Sequence, residues 1–399
     1  MLEFFLPKVN ERYSLADWGS FCYAAKLTIQ QISGGTVNLR IPGPTPVPDD
    51  ILSAGARQMI DHRGPEFHSV LSSVTEGLKT VFGTTGDLLI LTGSGTSAME
   101  AAVVNTLSTG DKVLGVTIGV FGNRFADIAS VYGVDVQRLN YDFGKAASAD
   151  DILAILSNDS DIKAVLVTHN ETSTGVTNDI EAIAKVVKQD PNRLLLIDAV
   201  SSLGSIPCPV DELQADVVIS GSQKGWMVPP GLAMVAMSNR AWQAYEQSNI
   251  PKFYLDLGKA KEYLLRGQTP WTPAVSIFYG LEASLNKILG EGIENVYARH
   301  QALADKTRRA VKALGLELLA DESVASNTVT AVKLPEGIDG RQLTKHIRES
   351  YDVVLGGGQG SLTGKIVRIA HLGYVEPAEI DDALSALERG LIDLSSAVS

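Results

Sequence analysis

The 399-residue chain is poor in cysteine, with only Cys22 and Cys208. Two cysteines do not build a disulfide framework, and they fit a reducing compartment. Long hydrophobic runs are also missing. None approaches the ~20 apolar residues of a membrane span. Near the start, Phe4, Phe5 and Leu6 are closed in by Glu3, Lys8, Glu11 and Arg12, which leaves no apolar core for a signal peptide. Positive charge is scarce: the net charge is −12 and no long basic run occurs, so neither nucleic acid nor membrane is an expected partner. The acidic balance itself reads as solubility. Repeats and low-complexity segments are absent. What remains is a chain long enough for about two or three domains with full cores, and a soluble cytoplasmic enzyme is the default expectation.

Residues 1–37 stand outside the pattern that follows and read as an N-terminal extension or arm. The segment Leu39-Arg40-Ile41-Pro42-Gly43-Pro44-Thr45-Pro46-Val47-Pro48 is forced by its prolines into an extended path, a strap placed for a site mouth or an interface. From about residue 66, helical and strand periods alternate. Helices are predicted over 66–82 and 96–107, from about 123, and over 181–188. Strands are predicted over 88–91, 113–118, 164–167, 194–197, 217–219 and 232–237. Strands apolar on both faces, with helices between, imply a mostly parallel sheet covered on both sides. After about residue 275 the pattern turns to long amphipathic helices with two short strands, 328–333 and 366–369. The expected division is therefore a large domain over 38–275, with the strap at 38–54, and a small α+β domain over 276–399.

Polar residues punctuate the strand ends, where open parallel sheets bind ligands. The run Ser220-Gly221-Ser222-Gln223-Lys224-Gly225-Trp226 puts a lysine on a small-residue bend after a buried strand. Desolvation there would lower its pKa and make the amine a nucleophile. Asp198 follows the apolar strand 194–197. Buried alone, its charge is costly and calls for a cation, although a structural, hydrogen-bonded aspartate is the other reading. A lysine and an aspartate ending successive strands are the two groups pyridoxal phosphate requires, one for the Schiff base and one for the pyridinium nitrogen.

Other strand ends are less specific. Gly93-Ser94-Gly95-Thr96-Ser97 suits a phosphate at a helix start. It also matches the spacing of a dinucleotide fingerprint, but the next strand ends in Thr117-Ile118-Gly119, without the acidic residue for a ribose. Phe121, between Gly119 and Gly122, suits either stacking on a flat ring or the core. The tract Thr168-His169-Asn170-Glu171-Thr172-Ser173-Thr174-Gly175 is dense in hydrogen-bonding groups. Its His169 and Glu171 have no second cluster at metal-ligand spacing, so no metal site is expected and His169 reads as structural. Arg368 faces away from Val367 and Ile369 in its strand. It suits either a carboxylate in the cleft or an exposed edge. Gly356-Gly357-Gly358 reads as a loop near that cleft. Thr269-Pro270-Trp271-Thr272-Pro273 opens a helix and offers hydroxyls.

Three tracts carry a resemblance: Ile41-Pro42-Gly43-Pro44-Thr45, His169-Asn170-Glu171-Thr172-Ser173-Thr174-Gly175-Val176-Thr177-Asn178, and Ser220-Gly221-Ser222-Gln223-Lys224. Over about residues 38–399 the chain resembles the class V aminotransferases of the fold-type-I pyridoxal-phosphate superfamily, nearest to those that use alanine or serine with glyoxylate. The resemblance implies pyridoxal 5′-phosphate as cofactor and a homodimer with shared sites. It implies that Lys224 carries the Schiff base and shuttles the proton, and that Asp198 pairs with the ring nitrogen. Phe121 takes the stacking place, where relatives often have another aromatic. Gly95, Thr96 and Gln223 hold the phosphate, Val200 lines the cofactor site, and Thr172 lies near the ring hydroxyl. Thr272 reaches the neighbouring subunit's phosphate. Arg368 binds the substrate carboxylate, with Gly43 nearby. Thr96 stands where many such enzymes carry histidine, and Gln268 and Trp271 where they carry tyrosine or histidine, which bears on the substrate pocket.

The implied reaction is a ping-pong transamination between a small L-amino acid, alanine or serine, and a small 2-oxo acid, glyoxylate or pyruvate. A 2-aminoethylphosphonate transaminase would need more cationic groups. A cysteine desulfurase-like lyase has histidine before the lysine, where this chain has Gln223. A non-catalytic cofactor-binding scaffold would not need Lys224, Asp198 and Arg368 together; a nicotinamide dehydrogenase is the other class, and NADH binding without any cofactor absorbance would favour it.

Overall fold

The computed structural model describes residues 37–398. The expected N-terminal arm, apart from its last residue, and Cys22 lie outside them. The described residues form thirteen strands. The strap opens with β1 (Asn38–Arg40). The large unit then holds β2 (Asp87–Gly93), β3 (Lys112–Thr117), β4 (Asp135–Asn140) and β5 (Ile162–Thr168), a short hairpin of β6 (Asn170–Glu171) and β7 (Val176–Thr177), then β8 (Leu194–Asp198), β9 (Val217–Gly221) and β10 (Gly231–Met237). The remaining strands are β11 (Val329–Lys333), β12 (Val353–Gly357) and β13 (Ile366–Ala370).

Seven strands make one sheet in the order β2-β10-β9-β8-β5-β3-β4. The neighbours from β9 to β4 run parallel, while β10 is antiparallel to both β9 and β2. Two reversals cancel, so β2 ends on the same edge as β3, β5, β8 and β9. Every motif singled out after these strands therefore falls along one rim.

The sheet is apolar on both faces, and alternate residues feed two cores. Val165, Val167, Leu195, Ile197 and Val218 join one core with Phe67, Leu78 and Phe278. Ala164, Leu166, Leu194, Leu196, Val217 and Ile219 join the other with Met99, Val103 and Phe125. Each fully buried aliphatic side chain contributes about 1.5–3 kcal/mol, so this double-sided burial holds the rim rigid. The expected α/β architecture, a mostly parallel sheet flanked by helices with a smaller α+β unit, is the one the chain adopts.

Several local expectations differ from the fold. The polar strand β4 is absent from the sequence expectation because it lies half-exposed on the sheet edge, without a regular alternation of buried and exposed residues. The helix expected from about residue 123 starts at Val120, which places Phe121 in its first turn. The small unit carries four strands rather than two, in the order β1-β12-β13-β11. Leu39 and Arg40 of the strap thus belong to the small sheet. Gly356 and Gly357, read as a loop, are strand residues paired with Arg368 and Val367. Helix Val275–Glu291, placed by sequence in the small unit, buries Phe278, Tyr279, Leu281 and Leu285 in the large core, whereas the separate small core begins at Leu303. Among the described residues no helix is long and apolar enough to cross a membrane.

Candidate active site

The bend after β9 is held from several sides. Trp226 is fully buried, stacks on Phe82 at 5.9 Å and donates through Nε1 to Ser220 Oγ at 2.8 Å. Ser222 Oγ donates to Pro229 O at 2.8 Å and accepts from Leu232 N. The strap crosses this bend: Thr45 N donates to Gln223 O and Thr45 Oγ1 to Lys224 O, both at 3.1 Å. Lys224, 8% exposed, has its backbone fixed while its amine donates to Pro42 O. A Cβ on Gly43, whose φ is +123°, would sit 2.6 Å from Lys224 Nζ, so only glycine lets the strap lie against the amine. Burial, reinforced by the positive charge of Arg368, lowers the Lys224 amine to about 8.

Asp198 ends β8, the parallel neighbour of β9. Its Oδ1 accepts from Val200 N at 3.0 Å and its Oδ2 from Thr168 Oγ1 at 3.1 Å. Burial raises its carboxyl to about 6, against the Val200 hydrogen bond. Those two neutral donors leave the buried carboxylate short of a bonded cation.

Glu171 belongs to a tract that the sequence marks only as dense in hydrogen-bonding groups. In the fold its fully buried carboxylate caps helix Val120–Val131. Oε2 accepts from Phe121 N at 2.8 Å and Gly122 N at 3.1 Å, while Oε1 accepts from Ser173 N and Ser173 Oγ. This fixes the turn that carries Phe121. Burial raises the Glu171 carboxyl, and these donors oppose the shift. His169 is buried, its ring brought down to about 4 by desolvation, in keeping with a neutral structural role.

Arg368 is buried within electrostatic reach of Lys224. It is 6% exposed, and backbone carbonyls orient it: Nε donates to Gly357 O and Nη1 to Thr172 O, both at 2.9 Å. The rest of the guanidinium fork is left for an anion.

A cavity of about 250 Å³ brings together Gly43, Gly95, Thr96, Phe121, Val200, Gln223 and Lys224. Asp198 adjoins it through the hydrogen bond from Val200 N, and the charge of Arg368 reaches Lys224, while Thr172 and Arg368 themselves do not line it. Thr272 does not line it and is exposed on the chain's surface. Sequence reasoning passed over Arg124, which also lines the cavity. The available signal was its spacing: three residues after Phe121, it shares a helix face with the ring.

A family model described as aminotransferase class-V matches residues 49–381. The chain belongs to the class-V aminotransferase family. It is an aminotransferase. It is 39% identical to the serine–glyoxylate aminotransferase of Methylorubrum extorquens, over 90% of this chain and 92% of that one. It is 45% identical to a Synechococcus protein named soluble hydrogenase, small subunit, over 89% and 93%; that name describes another activity, and the likeness comes here as sequence alone. The solved alanine–glyoxylate aminotransferase of Nostoc superposes with a TM-score of 0.86 at 29% identity, covering 90% of this chain and 96% of that one.

The family implies pyridoxal phosphate, and the aminotransferase's residues fit it. Asp198 is a buried carboxylate in want of a cation, as a pyridinium nitrogen would be. Gln223 Oε1 is buried without a hydrogen-bond partner. Helix Gly95–Thr106 opens on the cavity with no side-chain cap, which suits an anion.

Proposed function

We propose that this aminotransferase moves the amino group of a small L-amino acid, alanine or serine, to glyoxylate or pyruvate, with pyridoxal 5′-phosphate held at Lys224. The observation that carries this reading is the buried pair on adjacent strand ends: an amine lowered to about 8 beside a carboxylate raised to about 6. The cofactor supplies a carbonyl for amines and an electron-withdrawing ring. The chain's own groups do the rest. Asp198 keeps the ring nitrogen protonated. Phe121 stacks on the ring, and Thr172 lies near its hydroxyl. Gly95, Thr96 and Gln223 hold the phosphate, with Val200 against the ring. Arg368 binds the substrate's α-carboxylate, with the Gly43 backbone nearby, and so aims the α-carbon. Lys224 Nζ is the base for the α-proton. Glycine at 43 keeps the strap close over that amine and limits water there.

A homodimer is part of the proposal, with Thr272 reaching the phosphate of a second copy's site. Its support is surface chemistry: beside Thr272, Phe253 is 70% exposed and packs on Trp271 at 4.9 Å, an apolar patch suited to burial. The proposed compartment is the reducing cytoplasm, on the scarcity of cysteine.

Substrate choice is tested by offering alanine, serine, glycine and aspartate against glyoxylate and pyruvate. Fastest turnover is expected with alanine or serine. No turnover with any pair would overturn the reading. The state of Lys224 sets a pH dependence. Below about 8 the amine is mostly protonated, so the rate of cofactor uptake by the apoenzyme should rise ~10-fold per pH unit up to that point and level off above it. A flat profile from pH 6 to 9 would contradict the assignment. Arg368→Gln removes the fork and should raise KM for the amino acid and the oxo acid alike by ~100-fold, with cofactor affinity unchanged. A KM within twofold of wild type would remove Arg368 from the substrate site.

A further inference from the structure

Of the described residues lining the 250 Å³ cavity, only Lys224 and Arg124 carry a charge. Lys224 is the amine proposed to carry the cofactor, so the charged side chain left to meet an anion is Arg124. Its place is set by the fold. Glu171 pins the first turn of helix Val120–Val131, and Arg124 lies one turn on, its guanidinium 4.7 Å from the Phe121 ring centre. Its Nη1 donates to Thr96 Oγ1 at 3.3 Å. It thus contacts a ring face and a hydroxyl, with no carboxylate partner among the described residues.

Thr96 is the second residue of helix Gly95–Thr106. Ser94 precedes that helix in an extended conformation without a side-chain cap, and its first turn holds no acidic residue. A helix N-terminus carries a partial positive charge. Two positive ends therefore face each other across Thr96, an arrangement that is unfavourable until an anion sits between them. Uncapped N–H groups, a hydroxyl and a planar guanidinium suit an oxyanion with several acceptor oxygens. Arg368 is anchored elsewhere, on Thr172 and Gly357, and is already oriented for a carboxylate.

We propose that Arg124 binds the phosphate of the cofactor, as the charged partner of the Thr96 helix start. This rests on the reading that the cavity holds pyridoxal phosphate. The cofactor's charge is then met by a residue of the same helix that carries the stacking ring, so one element sets both the ring plane and the phosphate.

The test compares apoenzymes of wild type, Arg124→Gln and Arg124→Lys. Each is titrated with pyridoxal phosphate and with pyridoxal, which lacks the phosphate, by quenching of tryptophan fluorescence. Arg124→Gln is expected to weaken pyridoxal phosphate binding by about 10–100-fold and to leave pyridoxal within about twofold, with partial recovery in Arg124→Lys. Inorganic phosphate should raise the melting temperature of the wild-type apoenzyme and not that of Arg124→Gln. Equal losses for both ligands would mean that Arg124 only supports the fold, and unchanged affinity for both would also overturn the proposal. A cofactor affinity that holds while KM rises for aspartate but not alanine would assign Arg124 to a substrate carboxylate instead. If wild type binds neither ligand, the cofactor reading falls and this inference with it.

Discussion

Lys224→Ala is expected to lower turnover by at least ~10³-fold and to remove the visible absorbance of a lysine-linked cofactor. The protein should stay folded. The bend is held by Trp226, Ser222 and Thr45, none of which depends on the lysine side chain. Removing a buried amine also removes its desolvation cost. The strap loses one contact, from Lys224 Nζ to Pro42 O, and keeps the two that Thr45 makes to the bend backbone. Pyridoxal phosphate should still bind, without the covalent link, and small added amines should restore part of the rate because they can take up the α-proton. Absorbance and steady-state rates decide it: a variant with the visible band and full turnover would end the assignment of Lys224 as both anchor and base.

Asp198→Asn should produce two effects of opposite sign. Turnover is expected to fall ~10²–10³-fold, because the charge that holds the ring proton is lost from a buried site. The apoenzyme should become more stable above neutral pH. The Asp198 carboxyl titrates at about 6 in the fold, above its ordinary 3.8. A raised acid contributes stability that is present below the unfolded value and lost as pH rises through the folded one. At pH 8 the empty wild-type site therefore holds an ionised carboxylate at a cost of up to ~3 kcal/mol, and asparagine does not. The amide oxygen can keep the hydrogen bond from Val200 N. Melting curves of both apoenzymes at pH 5 and pH 8 give the measurement. The variant's advantage should amount to several degrees at pH 8 and about half of that at pH 5, which already lies above the unfolded value. A variant less stable by the same margin at both values would mean that Asp198 is a structural hydrogen-bonding residue.

Much of this architecture was readable along the chain, for reasons that particular elements make clear. Strands β5, β8 and β9 are runs of aliphatic residues because both their faces are buried, and such runs stand out against polar rims. Asp198 and Lys224 stand at the ends of two of them. Strand β4 escaped notice because it is half-exposed and carries Asp135, Gln137 and Arg138, which no periodic signal separates from a loop. Strand β12 escaped because glycine is rare in strands. Its Gly356 is there for a reason far away in sequence: a Cβ would come 3.0 Å from Pro42 Cδ of the strap.

The same contrast runs through the site. Lysine after a buried strand, aspartate after its neighbour and an anion-binding helix start are local patterns, legible because hydrophobic period and small-residue turns are local physics. Chain order and periodicity thus dictated the sheet, its functional rim and the kind of chemistry expected there. Which side chains meet depends on contacts between distant segments: the strap against Lys224, separated by 182 positions through the Pro42 hydrogen bond, Arg368 on Thr172, Glu171 under Phe121 and Arg124 beside Thr96. Those contacts set the burial and the fields that shift the amine and the carboxylate, and burial exists only once the chain has packed.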